Sequence, residues 1–108
     1  LQHRYLVRLK RGHYSIGDSI DLHQMNAETA RATILEFLEQ AHERGLGCVR
    51  IVHGKGLRSR KGPVLKRLAQ RLLSRHPRVA AFASCRPVDG GTGAVAVLLR
   101  GGRHFQRS

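Results

Sequence analysis

Cys48–Gly56 reads CVRIVHGKG, and the change of character inside this stretch decides the fold. Cys48–Val52 is a short β-branched run that suits a strand. His53-Gly54-Lys55-Gly56 then breaks it, and a Gly-rich basic segment runs on to Gly62. Pro63 fits the first position of a helix. Val64, Leu65, Leu68 and Leu72 recur at helical spacing over 64–75, with Arg67, Arg71 and Arg75 making a basic stripe four residues apart. His76-Pro77 ends the helix. A strand, a glycine-rich turn and a helix in this order are the start of a βαβ unit.

Upstream, Ser19–His23 (SIDLH) alternates apolar and polar residues and predicts another strand, with Ile20 and Leu22 on the core face and Asp21 and His23 on the other. Asn26 is a good N-cap for a helix over 27–44, whose stripe is Ala27, Ala30, Ile34, Phe37, Leu38 and Ala41, and Gly45 is a suitable stop. Downstream, Arg78–Cys85 (RVAAFASC) and Ala94–Arg100 (AVAVLLR) read as two strands joined through the turn residues Asp89-Gly90-Gly91-Thr92-Gly93. The order predicts an α/β fold, a two-layer βαβαββ sandwich on a mixed four-stranded sheet. The helical crossovers favour parallel pairing of the strands they join, and the last hairpin is antiparallel. Residues 18–100 would be the domain. Residues 1–17 are a basic arm or a short helix, and 101–108 a basic tail.

The chain has 108 residues, enough for one domain with its own core. Lys and Arg number 20 against seven acids, a net charge of +13. The charge is segregated: Arg44–Val88 holds twelve Lys/Arg and no acid, whereas Glu28, Glu36, Glu39 and Glu43 cluster in 26–44. Such a stretch points to a phosphate-bearing polymer. An anionic membrane fits less well, because aromatics are only 5% and Trp is absent. No apolar run approaches the ~20 residues that span a bilayer, and no signal peptide is visible, so the expected location is cytoplasmic. Starting at Leu1, the chain reads as a domain cut from a slightly longer protein, and a monomer is expected. Cys48 and Cys85 form no disulfide framework or metal clip and read as core thiols.

In open α/β sheets ligands gather at the carboxyl ends of parallel strands. Asp21 and His23 close one such strand and His53 follows the other, so the topology brings them to one edge with the basic loop. Gly54, Gly56 and Gly62 let backbone N–H groups approach an anion, while Lys55, Arg58, Arg60 and Lys61 add charge and the next helix adds its N-terminus. No Walker A pattern is present. Histidine titrates near neutral pH and can shuttle a proton; Asp21 could orient it, and the loop could stabilise charge building on phosphorus. The plainer reading is that Asp21 caps a turn and His23 merely ends a strand. A metal site from Asp21, His23 and His53 is conceivable. The lack of a second acid and the basic loop count against it, so no metal is assigned.

At these residues the chain resembles the Smr (small MutS-related) domain family. Ile20-Asp21-Leu22-His23 is similar to the family's LDLHG motif, Val52-His53-Gly54-Lys55-Gly56 to its HGxG motif, and Gly91-Thr92-Gly93 with the strand after it to its closing signature. The detailed wording, including Arg8-Leu9-Lys10-Arg11-Gly12, looks like the stand-alone bacterial members rather than a fragment of a long MutS2-type ATPase. The resemblance implies a fold like the C-terminal domain of translation initiation factor 3. It also implies endonuclease activity, with catalysis on Asp21 and His23 and nucleic-acid contact through His53, Gly54, Lys55 and Gly56. One departure is Gln24, where the family usually has Gly.

The leading expectation is therefore a DNA-nicking endonuclease with little sequence specificity, in which Lys55, Arg58, Arg60 and Lys61 grip phosphates. DNA cleavage needs water as nucleophile, which calls for a divalent metal such as Mg²⁺ or a better base, and no cofactor is assigned between them. RNA cleavage on or near ribosomes is the alternative, since a 2′-OH nucleophile needs no metal. A non-catalytic module binding branched DNA or structured RNA by shape is the competing class, and a translation factor follows from fold analogy alone.

Overall fold

The computed structural model describes residues 2–56 and 63–103, without the side chain of Gln2. In chain order the elements are α1 (Gln2–Lys10), β1 (Ser19–Asp21), α2 (Ala27–Glu43), β2 (Cys48–Val52), α3 (Val64–Arg75), β3 (Val79–Ser84) and β4 (Ala94–Leu99). Two short 3₁₀ turns, Pro87–Asp89 and Gly91–Gly93, join β3 to β4. The sheet is mixed and four-stranded, in the order β1-β2-β4-β3.

β1 pairs parallel with β2, Asp21 lying opposite Val52. β4 pairs antiparallel with both β2 and β3, so it separates the two strands that α3 connects. This corrects the expectation that each crossover joins neighbouring strands: β2 and β3 run the same way but do not touch. A crossover fixes strand direction, and the hairpin leaves open on which side β4 inserts. β4 goes to the inside because its sequence, Ala94-Val-Ala-Val-Leu-Leu99, is apolar on both faces, and all six residues are buried.

α2 forms for reasons visible in its ends. The Asn26 side chain accepts the Thr29 N–H at 2.8 Å. At the other end Gly45 takes φ +71°, with Gly45 N–H bonded to His42 O and Leu46 N–H to Ala41 O, each at 3.0 Å; this pair of bonds satisfies two carbonyls at the end of the helix. Ala30, Ile34, Phe37, Leu38 and Ala41 are buried against Val49, Ile51, Val95 and Val97, while Ala27 is exposed. The face of α3 is rotated from the expected stripe. Ala69 and Leu73 are buried, Leu65, Leu68 and Leu72 half-buried, and Val64 exposed. The small Ala69 sits where helix and sheet approach, a position that counting large aliphatics passes over.

The segment left open between arm and short helix is helical, and α1 packs on the opposite face of the sheet from α2 and α3. Leu9 and Tyr14 join Cys48, Ala83, Ala96 and Leu98 in a second apolar cluster. The βαβαββ sandwich thus carries a third layer. Cys48 is buried in that cluster and Cys85 packs on it half-buried, which agrees with structural thiols. Among the described residues, no helix is long and apolar enough to cross a membrane.

Burying Leu9 at 4% exposure makes α1 part of the folding unit. We expect Leu9→Ala to lower the unfolding free energy by about 2–4 kcal/mol, read from a urea titration; a change within 0.5 kcal/mol, the size typical of surface substitutions, would show that α1 is a detachable arm.

Candidate active site at the strand ends

The β1–β2 register sets the site. With Asp21 opposite Val52, and Leu22 N–H bonded to Val52 O at 2.8 Å, the two chain segments leave the sheet side by side. The β2–β4 register puts Ala94 opposite Val52 on the other flank. Gly93 therefore lies beside His53, and its carbonyl accepts N–H bonds from both His53 (3.0 Å) and Gly54 (2.9 Å). All three glycine- or histidine-bearing turns read from the sequence meet at this edge.

Asp21 and His23 do come together. β1 ends at Asp21, so His23 stands in the turn beyond the strand rather than on its polar face. One Asp21 carboxylate oxygen accepts the His23 backbone N–H at 2.9 Å, and the other lies 3.9 Å from His23 Nδ1. Asp21 thus caps the turn, as the plainer reading had it, and also places a carboxylate beside the imidazole. Both side chains are exposed, at 67% for His23 and 59% for Asp21. Gln24 follows at φ +66°, the only non-glycine with positive φ among the described residues. A glycine would adopt this conformation without strain. The side chain of Gln24 is itself exposed.

His53 has a different environment. It is 6% exposed, and its Nδ1 lies 2.6 Å from Gly54 O. A carbonyl only accepts, so Nδ1 carries the proton and Nε2 is left as an acceptor. Burial first, then the charge of Lys66, push the His53 pKa below its ordinary value, partly offset by the bond to Gly54 O. His53 is thus a neutral ring in the wall of the site and not a cation for phosphate. Gly54 and Gly56 have φ of +82° and +72°, and a Cβ on Gly56 would sit 2.6 Å from Pro63 Cα. The HGKG turn needs both glycines, one for its backbone and one also for space. Lys55 is exposed. Arg58, Arg60 and Lys61 lie outside the described residues.

Asp21, His23 and His53 do not gather: among the described residues no three His, Cys, Asp or Glu side chains are grouped to hold a metal ion. His53 spends its Nδ1 proton on Gly54 O and is buried, whereas Asp21 and His23 are exposed. Sequence reading missed an apolar cleft of about 300 Å³ beside His53, walled by Met25, Ala27, Val64 and Leu65. A larger cavity of about 510 Å³ lies away from these motifs, along β3 between α1 and α3.

A mixed α/β domain that assembles DxH, HGKG and GTG turns at the carboxyl ends of two parallel strands defines a class of small domains with a solvent-facing acid–histidine pair. The chain belongs to the Smr domain family, which it matches over residues 20–100. It is 34% identical over 101 residues to an Escherichia coli (strain K12) protein named "Probable DNA endonuclease SmrA", covering 93% of this chain and 54% of that one. In structure it is similar to YdaL, a stand-alone small MutS-related protein from Escherichia coli, with a TM-score of 0.80 and 34% identity over 93% of this chain and 77% of that one. It is also similar to the Smr domain of Thermus thermophilus MutS2, with a TM-score of 0.70 and 32% identity over 77% of this chain and 98% of that one. The chain spans from 10% to 54% of the length of the curated relatives compared.

Two outcomes follow. Replacing Gln24 by Gly relieves a left-handed backbone worth about 1–2 kcal/mol and loosens the unfolded chain by somewhat less, so Gln24→Gly should gain about 0.5–1 kcal/mol in a denaturant titration. The pH dependence has a definite sign. An unfolded His53 takes up a proton near its ordinary value of 6.5, which the folded ring resists until lower pH. Stability from this group is present above 6.5 and is lost as pH falls from 6.5 towards the lower folded value. His53→Gln should therefore flatten the fall of unfolding free energy below 6.5, by at most about 1.4 kcal/mol per pH unit; identical slopes in the two proteins would show that His53 protonates freely.

Proposed function

We propose that the domain is a nucleic-acid-binding endonuclease, and that it nicks DNA with little sequence specificity. The observation that carries this reading is the meeting of the Asp21–His23 pair with the HGKG turn at one sheet edge, in a chain of net charge +13. In this reading His23 moves the proton and Asp21 holds it in position. Lys55 contacts phosphate beside backbone N–H groups of the turn, and Arg58, Arg60 and Lys61 extend that contact. Water is the nucleophile on DNA, and a divalent cation such as Mg²⁺ brought with the phosphate would assist it. The names of the relatives support the endonuclease class.

RNA is the second reading, favoured by the make-up of the pair. One carboxylate beside one imidazole is enough when the 2′-OH attacks its own phosphate. His23 would take the 2′-OH proton as the 2′ oxygen bonds to phosphorus, and would pass that proton to the 5′ oxygen as the P–O5′ bond breaks, leaving a 2′,3′-cyclic phosphate.

We expect Asp21→Ala combined with His23→Ala to lower cutting by about 10²-fold or more while leaving binding nearly unchanged, on a gel comparing supercoiled DNA and structured RNA with EDTA and with Mg²⁺. Undiminished cutting by the double variant would overturn the catalytic assignment. Equal shifts of nucleic acid by both proteins, with no cutting by either, would favour a binding module. Replacing Arg58, Arg60 and Lys61 by Ala should reduce the slope of log K against log salt by about two to three units; an unchanged slope would remove the loop from the interface.

A further inference from the structure

The cleft of about 300 Å³ shares His53 and Gly56 with the HGKG turn of the candidate active site. Met25 in its wall stands two residues after His23, and the Met25 N–H bonds Leu22 O at 3.0 Å. Its volume falls at the small end of ligand pockets, which run to roughly 300–1,000 Å³. Three features describe what it can hold. First, its walls are apolar and partly solvated. Val64, at 38%, is one of only two exposed large hydrophobic residues among those described. Solvated apolar surface beside the HGKG turn is a ligand contact in waiting. Second, the buried polar group in the wall is His53. Its Nδ1–H is spent on Gly54 O, which leaves Nε2 as the acceptor of the ring. A neutral acceptor suits the N–H edge of a heterocycle and not a phosphate. Third, the cleft shares Ala27 and Val64 with a groove of about 230 Å³ between α2 and α3, which Arg67 and Arg71 line. Cations begin where the apolar surface ends.

We propose that this cleft takes one unpaired nucleobase of the bound strand, with the adjoining phosphates running over Arg67 and Arg71. The protein then engages single-stranded or frayed nucleic acid in preference to intact duplex, since a paired base cannot reach the cleft without leaving its stack. This inference rests on the reading of the strand ends as a nucleic-acid site.

The test is fluorescence anisotropy of the full chain with a labelled oligothymidine dodecamer and with an abasic dodecamer carrying the same phosphates, repeated with the ribose counterparts. Wild type should bind the base-bearing strand about tenfold more tightly than the abasic one, the scale of one buried base contact. Ala27→Leu places an aliphatic side chain in the cleft from the exposed first residue of α2, where leucine is a good helix former. It should bring the base-bearing strand down to the abasic level and leave abasic binding unchanged, with an unaltered circular dichroism melt. Equal binding of the two strands by wild type, or a preference that survives Ala27→Leu, overturns the cleft assignment and leaves the nucleic-acid reading standing. Binding of neither strand overturns both.

Discussion

One carbonyl oxygen organises the functional edge of this domain. Gly93 O accepts the N–H groups of His53 and Gly54, and so fixes the start of the HGKG turn to the start of β4. The turn could not hold its left-handed glycines against the sheet without such an anchor, because each chain reversal leaves backbone donors that must find partners. A Cβ on Gly93 would lie 3.4 Å from Lys55 Cγ, in ordinary van der Waals contact. The insertion of β4 between β2 and β3 is what brings Gly93 to this place. A β4 on the outside of the sheet would carry the same sequence and leave the HGKG turn unsupported.

The other side of the edge depends on Arg50 and on Asp21. Arg50, in the middle of β2, donates to Ser19 Oγ at 3.0 Å and to Asp89 O at 2.9 Å, tying the start of β1 to the connection that precedes β4. Asp21 then turns the chain after β1 by accepting the His23 N–H. The imidazole of His23 is held through its backbone and stays in solvent, whereas His53 is shut into the wall. Two histidines on one edge thus have opposite surroundings: one is open to a substrate and the other is kept neutral by burial. The proposed function uses the first for proton transfer, and the second is packed into the wall beside it.

Most of the fold was legible because its elements announce their own ends. Asn26 and Gly45 bracket α2, the CVRIV run is β2, and the Asp89–Gly93 stretch marks the hairpin. What escaped was set by tertiary choices. The position of β4 depends on which strand can be buried on both faces, a comparison between strands rather than a pattern within one. The true face of α3 centres on Ala69 and Leu73. α1 carries Tyr5, Leu6 and Leu9 at helical spacing, but five residues of positive or imidazole character from His3 to Arg11 mask the signal. In the site, the pairing of Asp21 with His23 was readable from spacing. The burial of His53 and the cleft beside it were not, since a histidine looks the same in sequence whether it faces water or Leu65. Gln24 shows the reverse case: the family resemblance marks the position for glycine, and the backbone confirms why.

In the proposed function the three turns form one nucleic-acid site. Titrating the isotope-labelled protein with a short oligonucleotide and following backbone amide shifts tests it most directly. Leu22–Met25, His53–Gly56 and Thr92–Gly93 should shift together, along one saturation curve. Shifts confined to α1 or to the outer edge of β3, with these three turns unmoved, would contradict it.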